Sequence, residues 1–320
     1  MTDQTPSVPV VKRSVGTKAR ISALIGLVLG GAAMVFVAGT LVEEWDEAEA
    51  ALRNAKPGWL VLAVVLAGAG MASIGVVWGR VLHRLGSGVA TGRVVCWYFV
   101  GELGKYLPGG VWPVLGRGEL ARRGGIPRAA AYVSVGLSLG MLYLAGMFVA
   151  MGFLPFAVAG SGFTPWMLVL LALPIGVGAL HHRFLEWLLG IVRRLSGRAI
   201  HFGVPRWKDS LVLVAMYVPT WLLIGSSTWA VARAISPEAS FPRVMFATVL
   251  SWIAGFIAVP VPTGAGIREA VLLAASGLDG GVAAATAIVA RLIFVAVDAL
   301  GGLLGALGNR RGGGGDAERR

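Results

Sequence analysis

The chain has 320 residues, of which 56% are hydrophobic and 14% charged, with a net charge of +12 and a mean hydropathy of +0.77. That is more apolar surface than one soluble core can bury, with too few charges to solvate the remainder, so a soluble fold is excluded and lipid is the missing solvent. The basic residues fall in short loops between apolar runs rather than in a basic domain, which excludes nucleic-acid recognition and fits the positive-inside bias of bacterial membrane proteins.

Apolar runs of about 20 residues, enough to cross a hydrocarbon core of about 30 Å, recur along the chain. Residues 1–20 form a basic tail with Lys12, Arg13, Lys18 and Arg20. The apolar run 21–42 outlasts the core of a secretory signal and reads as an uncleaved first helix. The loop after it carries Glu43, Glu44, Asp46, Glu47 and Glu49, so this helix runs outward from the cytoplasm. A second span, 59–78, returns to the basic loop of Arg80, His83, Arg84 and Arg93.

Residues 94–112 begin apolar, then break at Gly101, Gly104 and Leu107-Pro108-Gly109-Gly110, and lead to Arg117, Arg122, Arg123 and Arg128. Both flanks are basic, which predicts a re-entrant hairpin entered from the cytoplasm, allowed where protein or a wet cavity satisfies the irregular backbone. A span over 129–154 follows, then an uncharged external loop, a return span over 166–180, and the basic loop 181–208. Within that loop Phe184, Leu185, Trp187, Leu188, Ile191 and Val192 fit either a surface helix or an extension of the preceding span. The chain crosses again over 210–231. A second apolar segment, 246–259, breaks at Pro260-Val261-Pro262-Thr263-Gly264-Ala265-Gly266. The last span, 282–307, leads to a polar tail, 309–320, that reads as disordered and cytoplasmic.

The expected fold is therefore all-α: a polytopic helix bundle of about six full transmembrane helices plus two broken hairpins. It forms a single membrane-embedded domain over 21–308, with both termini cytoplasmic in the inner membrane. The halves, 58–154 and 210–307, repeat helix, broken hairpin, helix with opposite orientation, an inverted repeat whose interrupted segments point to a transporter's midplane site. The alternative is that one or both hairpins cross fully.

Ionisable groups at membrane depth cost about 2.5–3.5 kcal/mol each and mark cavities or partners. Glu102, Lys105, Glu119, Arg268, Glu269, Arg291 and Asp298 qualify. Arg291 and Asp298 stand seven apart, on one helical face. Arg268 and Glu269 follow a glycine-rich break whose free backbone N–H groups suit an anion. A phosphodiester headgroup needs guanidinium forks, backbone donors, and carboxylates for an amine or hydroxyl. Arg268 and Arg291 are accordingly expected to contact phosphate, and Glu269, Glu119 and Asp298 to read the headgroup or couple to protons. The alternative for Arg268 and Glu269 is a structural salt bridge, and for Glu102 and Lys105 a surface pair. Arg117, Arg122 and Arg123 read as topology determinants, with Arg117 kept as a candidate ligand. The single cysteine, Cys96, and the four histidines lack metal-binding spacing. No metal or other cofactor is expected, and no Walker motif or catalytic triad order is present.

Two motifs carry a family resemblance. Gly101-Glu102-Leu103-Gly104-Lys105-Tyr106-Leu107-Pro108-Gly109-Gly110, continuing to Arg117-Gly118-Glu119-Leu120-Ala121-Arg122, resembles the first motif of the lysylphosphatidylglycerol synthase/flippase membrane-domain family. Pro262-Thr263-Gly264-Ala265-Gly266-Ile267-Arg268-Glu269, with Gly277 and Arg291, resembles its second. The resemblance implies a lipid-handling membrane domain, which in two-domain members moves aminoacylated phospholipid between leaflets. Those members carry a soluble aminoacyl-transferase domain after the membrane part, so synthase activity is expected to be missing from this chain. The helix after the first motif also departs from the family, since 133–147 holds no ionisable group beyond Tyr143.

The function expected is a translocator of phospholipid or polyprenyl-linked glycolipid, with membrane lipids of anionic or glycosylated headgroup as partners. Alternatives are a membrane-embedded headgroup transferase with Glu119 or Glu269 as general base, or a scaffold for a separately encoded envelope-synthesis enzyme.

Overall fold

The computed structural model describes residues 53, 55–106, 111–158, 207–258, 264 and 266–317, and all regular structure among them is helical. In chain order the helices are α1 (Pro57–Arg84), α2 (Thr91–Glu102), a short 3₁₀ helix (Leu103–Tyr106), α3 (Trp112–Arg123), α4 (Arg128–Val158), α5 (Trp207–Ile235), α6 (Phe241–Ile257), α7 (Ile267–Ala275) and α8 (Gly280–Ala317). The spans expected at 21–42 and 166–180, and the surface helix near Trp187, lie outside the described residues.

Local sequence explains several boundaries. Pro57, Pro113 and Pro242 sit in the first turns of α1, α3 and α6, where the missing N–H costs nothing and the fixed φ favours the helix. Gly86 and Gly125, both at positive φ, close α1 and α3. Behind them Ser87 N–H reaches Leu82 O, and Ile126 N–H reaches Ala121 O, which satisfies carbonyls that the helix ends would orphan. Where the sequence reads as a disordered tail from 309, α8 instead continues to Ala317. No proline interrupts it, although the four glycines at 312–315 favour a helix less than any residue but proline.

Four helices, α1, α4, α5 and α8, are long and apolar enough to cross a membrane. The outward faces of α1 and α8 carry Val61, Val65, Leu292, Leu300, Leu303 and Leu304, each more than half exposed, a surface that suits lipid and not water. The protein is thus a multi-pass membrane protein. Helices α2 and α3 have 12 residues each, about 18 Å at 1.5 Å per residue, too short to span alone. They pack against each other across Leu103–Tyr106, as α6 packs against the still shorter α7.

At the centre α1 and α5 form the most extensive helix pair. Gly70 lets them touch: a Cβ there would lie 2.9 Å from Ile224 Cγ1. Ser73 and Thr220 share a 2.7 Å hydrogen bond, and Ser227 donates to Ala63 O at 2.8 Å. Gly75 packs on Val95 and Tyr98, and Gly301 and Gly305 pack on Phe99 and Cys96, whereas Gly136 and Gly140 face open space. Small residues therefore mark internal packing at Gly75, Gly301 and Gly305 and not at Gly136 and Gly140.

The helix neighbours obey an exchange rule. Swapping α1–α4 for α5–α8 carries each substantial contact between the described α-helices onto another observed one, or for α1 on α5 onto itself: α1 on α2 becomes α5 on α6, α3 on α4 becomes α7 on α8, and α2 on α8 becomes α6 on α4.

Candidate functional site

The two broken segments converge beside α8. A cavity open on one side is lined by Lys105 and Tyr106 from the first segment, Arg268 and Glu269 from the second, and Arg291 and Asp298 from α8. Thr228 of α5 and Thr248, Ser251 and Trp252 of α6 complete its polar wall. The spacing that put Arg291 and Asp298 on one face is realised, since both line this space.

Most of the charges in it are already paired. Asp298 is fully buried and accepts two hydrogen bonds on Oδ2, from Lys105 Nζ at 2.6 Å and from Tyr106 O–H at 2.8 Å, while its buried Oδ1 has no partner. Lys105 lies 3.4 Å from Glu102 as well. This joins the 3₁₀ helix after α2 to α8, with Tyr106 and Asp298 192 residues apart. On the other side, Glu269 accepts Arg291 Nη1 at 2.5 Å on one oxygen and the Gly266 backbone N–H at 2.6 Å on the other. Gly266 sits at φ 82°, a left-handed conformation that glycine adopts without steric cost. The carboxylate thereby caps α7 and ties it to α8.

Arg268 differs. Its guanidinium lies 3.9 Å from the centre of the Trp252 ring, and among the described residues it has no carboxylate partner and no hydrogen bond. Its aliphatic stem crosses α6 at Gly255, where a Cβ would come within 2.4 Å of Arg268 Cγ.

Several expectations are redistributed by this geometry. Glu119 does not line the cavity: it is held by Arg122 at 2.7 Å and Arg123 at 2.9 Å on the outer surface of α3. These two hydrogen bonds, Arg122 first, hold its carboxyl down to about 2. Helical spacing puts both arginines within reach of it, so it forms a surface ion triad outside the cavity. Arg117 is also outside the cavity lining, buried over the Tyr98 ring with Glu102 at 3.8 Å. Glu102 stands behind Lys105 without lining the cavity itself. Arg291, expected on phosphate, is committed to Glu269. The breaks Pro108, Gly109, Gly110, Pro260 and Pro262 lie outside the described residues, and Gly264 and Gly266 both have positive φ. No cluster of metal-ligating side chains occurs among the described residues.

Tyr106, Thr228, Thr248, Ser251 and Trp252 escaped the sequence reading as site residues. Tyr106 lies inside the first motif, and Trp252 stands one turn before Gly255 as Tyr98 stands one turn before Gly101. That spacing is visible in the sequence, but only once the two segments are aligned.

No curated protein matches the chain significantly. The family model described as lysylphosphatidylglycerol synthase TM region matches residues 23–305, and with nearly the whole chain covered, this membrane protein belongs to that family.

Proposed function

We propose that this chain moves a phospholipid or a polyprenyl-linked glycolipid between the leaflets of the bacterial inner membrane, with the cavity beside α8 receiving the headgroup. The reading is carried by one observation: polar groups from both interrupted segments meet in a single cavity within an otherwise apolar helix bundle. Convergence of broken helices is how many transporters build a site that either side of the membrane can reach.

In this reading the paired short helices α2–α3 and α6–α7 are re-entrant hairpins of an inverted repeat, and both termini are cytoplasmic. The exchange rule among helix contacts supports two equivalent halves. Transport then proceeds by rocking one half against the other about α1 and α5. Asp298 and Glu269 orient a hydroxyl or amine of the headgroup, and the cationic groups take its phosphate.

The test is reconstitution into liposomes holding fluorescent lipids of several headgroups, with a membrane-impermeant quencher reporting leaflet exchange. Exchange faster than in empty liposomes for at least one headgroup is expected. Equal rates for every headgroup would overturn the proposal.

A further inference from the structure

The same local device occurs once in each half. In the first, the Arg117 stem crosses α2 at Gly101, where a Cβ would come within 2.5 Å of Arg117 Cγ, and its guanidinium lies over Tyr98, one turn earlier on α2, at 5.5 Å. In the second, the Arg268 stem crosses α6 at Gly255, and its guanidinium lies over Trp252, one turn earlier on α6, at 3.9 Å. The exchange of α2 for α6 and α3 for α7 that relates the helix contacts therefore also relates these side chains.

The twins differ at one position. The residue after Gly101 is Glu102, whose Oε2 lies 3.8 Å from Arg117 Nη2, and the residue after Gly255 is Phe256, stacked on Tyr143 at 3.9 Å. Arg117 is neutralised from within its own half, and Arg268 is not. Charge bookkeeping in the cavity agrees. Lys105 is paired with Asp298 and Arg291 with Glu269, so the five charged side chains on the wall leave one positive charge in excess, on Arg268. An uncompensated guanidinium is costly at membrane depth, and an arriving anion with planar oxygen pairs relieves that cost.

We propose that Arg268 is the protein's receptor for a monoanionic phosphodiester group, and that Arg117 is the same cation site with its anion place filled internally by Glu102. The inference deepens the lipid-translocation reading and rests on it only for the source of the phosphodiester, a lipid headgroup rather than a free one.

The test is isothermal titration calorimetry of the full chain in uncharged maltoside micelles. One arm uses short-chain dihexanoyl phosphatidylglycerol and the other uses dimethyl phosphate as the free diester. Monodisperse elution on gel filtration is the folding criterion for each variant. The folded wild type is expected to bind the lipid probe, and Arg268→Gln to weaken it roughly ten- to a hundredfold, as loss of charge-assisted hydrogen bonds implies. Phe256→Glu, which rebuilds the first half's internal neutralisation, is expected to weaken binding as strongly, while Phe256→Gln stays within about threefold of wild type because it adds polarity without charge. Wild-type affinity in Arg268→Gln or in Phe256→Glu would overturn the proposal, as would absence of binding to both probes by the wild type. Tight binding of dimethyl phosphate equal to that of the lipid would overturn the lipid source and leave the anion site. Binding without leaflet exchange in liposomes would remove the transport reading and leave this one, and exchange abolished by no Arg268 variant would do the reverse.

Discussion

Glu269 holds Arg291 across 22 residues of chain at 2.5 Å, and the same carboxylate caps the first turn of α7. One side chain thus fixes both the start of a short helix and its distance from α8. Glu269→Gln keeps the shape but loses the charge that favours both bonds. Removing one partner of a largely buried pair is expected to cost about 3 kcal/mol, read as a lower unfolding midpoint in detergent. Arg291→Gln should cost at least as much, because it orphans the more buried partner, Glu269 being 7% exposed against 31% for Arg291.

Asp298 and Lys105 make a second tie, between α8 and the 3₁₀ helix after α2. Asp298→Asn leaves Lys105 with Glu102 alone, and is expected to destabilise by about 3–5 kcal/mol, as breaking a buried ion pair does. The double change Asp298→Asn with Lys105→Met should cost less than the sum of the singles, by about 1–3 kcal/mol, because the second change removes the charge the first one orphaned. A thermodynamic cycle on the four proteins measures this, and strict additivity would show that the two groups do not act as a pair.

Gly255→Ala tests how Arg268 is aimed. The new methyl would overlap the arginine stem, whose Cγ lies 2.4 Å from the built Cβ, so Arg268 must swing from Trp252. Weakened phosphodiester binding is expected, with a stability loss of about 1–3 kcal/mol for overpacking. Gly136→Ala, in the interior of α4 with nothing within 4 Å of the built Cβ, should instead stabilise by about 0.5–1 kcal/mol through helix propensity. Thermal unfolding of the two variants side by side gives opposite shifts if these environments are as described.

Glu119 should behave as a surface group. Its carboxyl is held down to about 2 from an ordinary 4.5 by Arg122 and Arg123. A depressed folded value means that its contribution is complete above the unfolded value and is lost only as pH falls from about 4.5 toward 2. Leaflet exchange by Glu119→Gln is therefore expected to match wild type from pH 5 to 8. A loss of exchange there would return Glu119 to the site.

Much of this protein is legible in its sequence because the relevant physics is local. Hydropathy over about 20 residues locates spans, and α1, α4, α5 and α8 each enclose the run expected of them. Gly and Pro clusters locate the interruptions, and a spacing of seven puts Arg291 and Asp298 on one face. What the sequence does not reveal is which charge is satisfied. Glu102 and Glu119 stand in one motif and look alike as residues, yet one sits beside buried Arg117 and the other on a surface triad. Arg268 and Arg291 look equally suited to phosphate, yet Glu269 engages one and leaves the other over Trp252. Pairing energies act over a few ångströms between groups far apart in the chain, so only the packing of the two interrupted segments against α8 decided that Arg268 is the cation on the cavity wall without a carboxylate partner among the described residues.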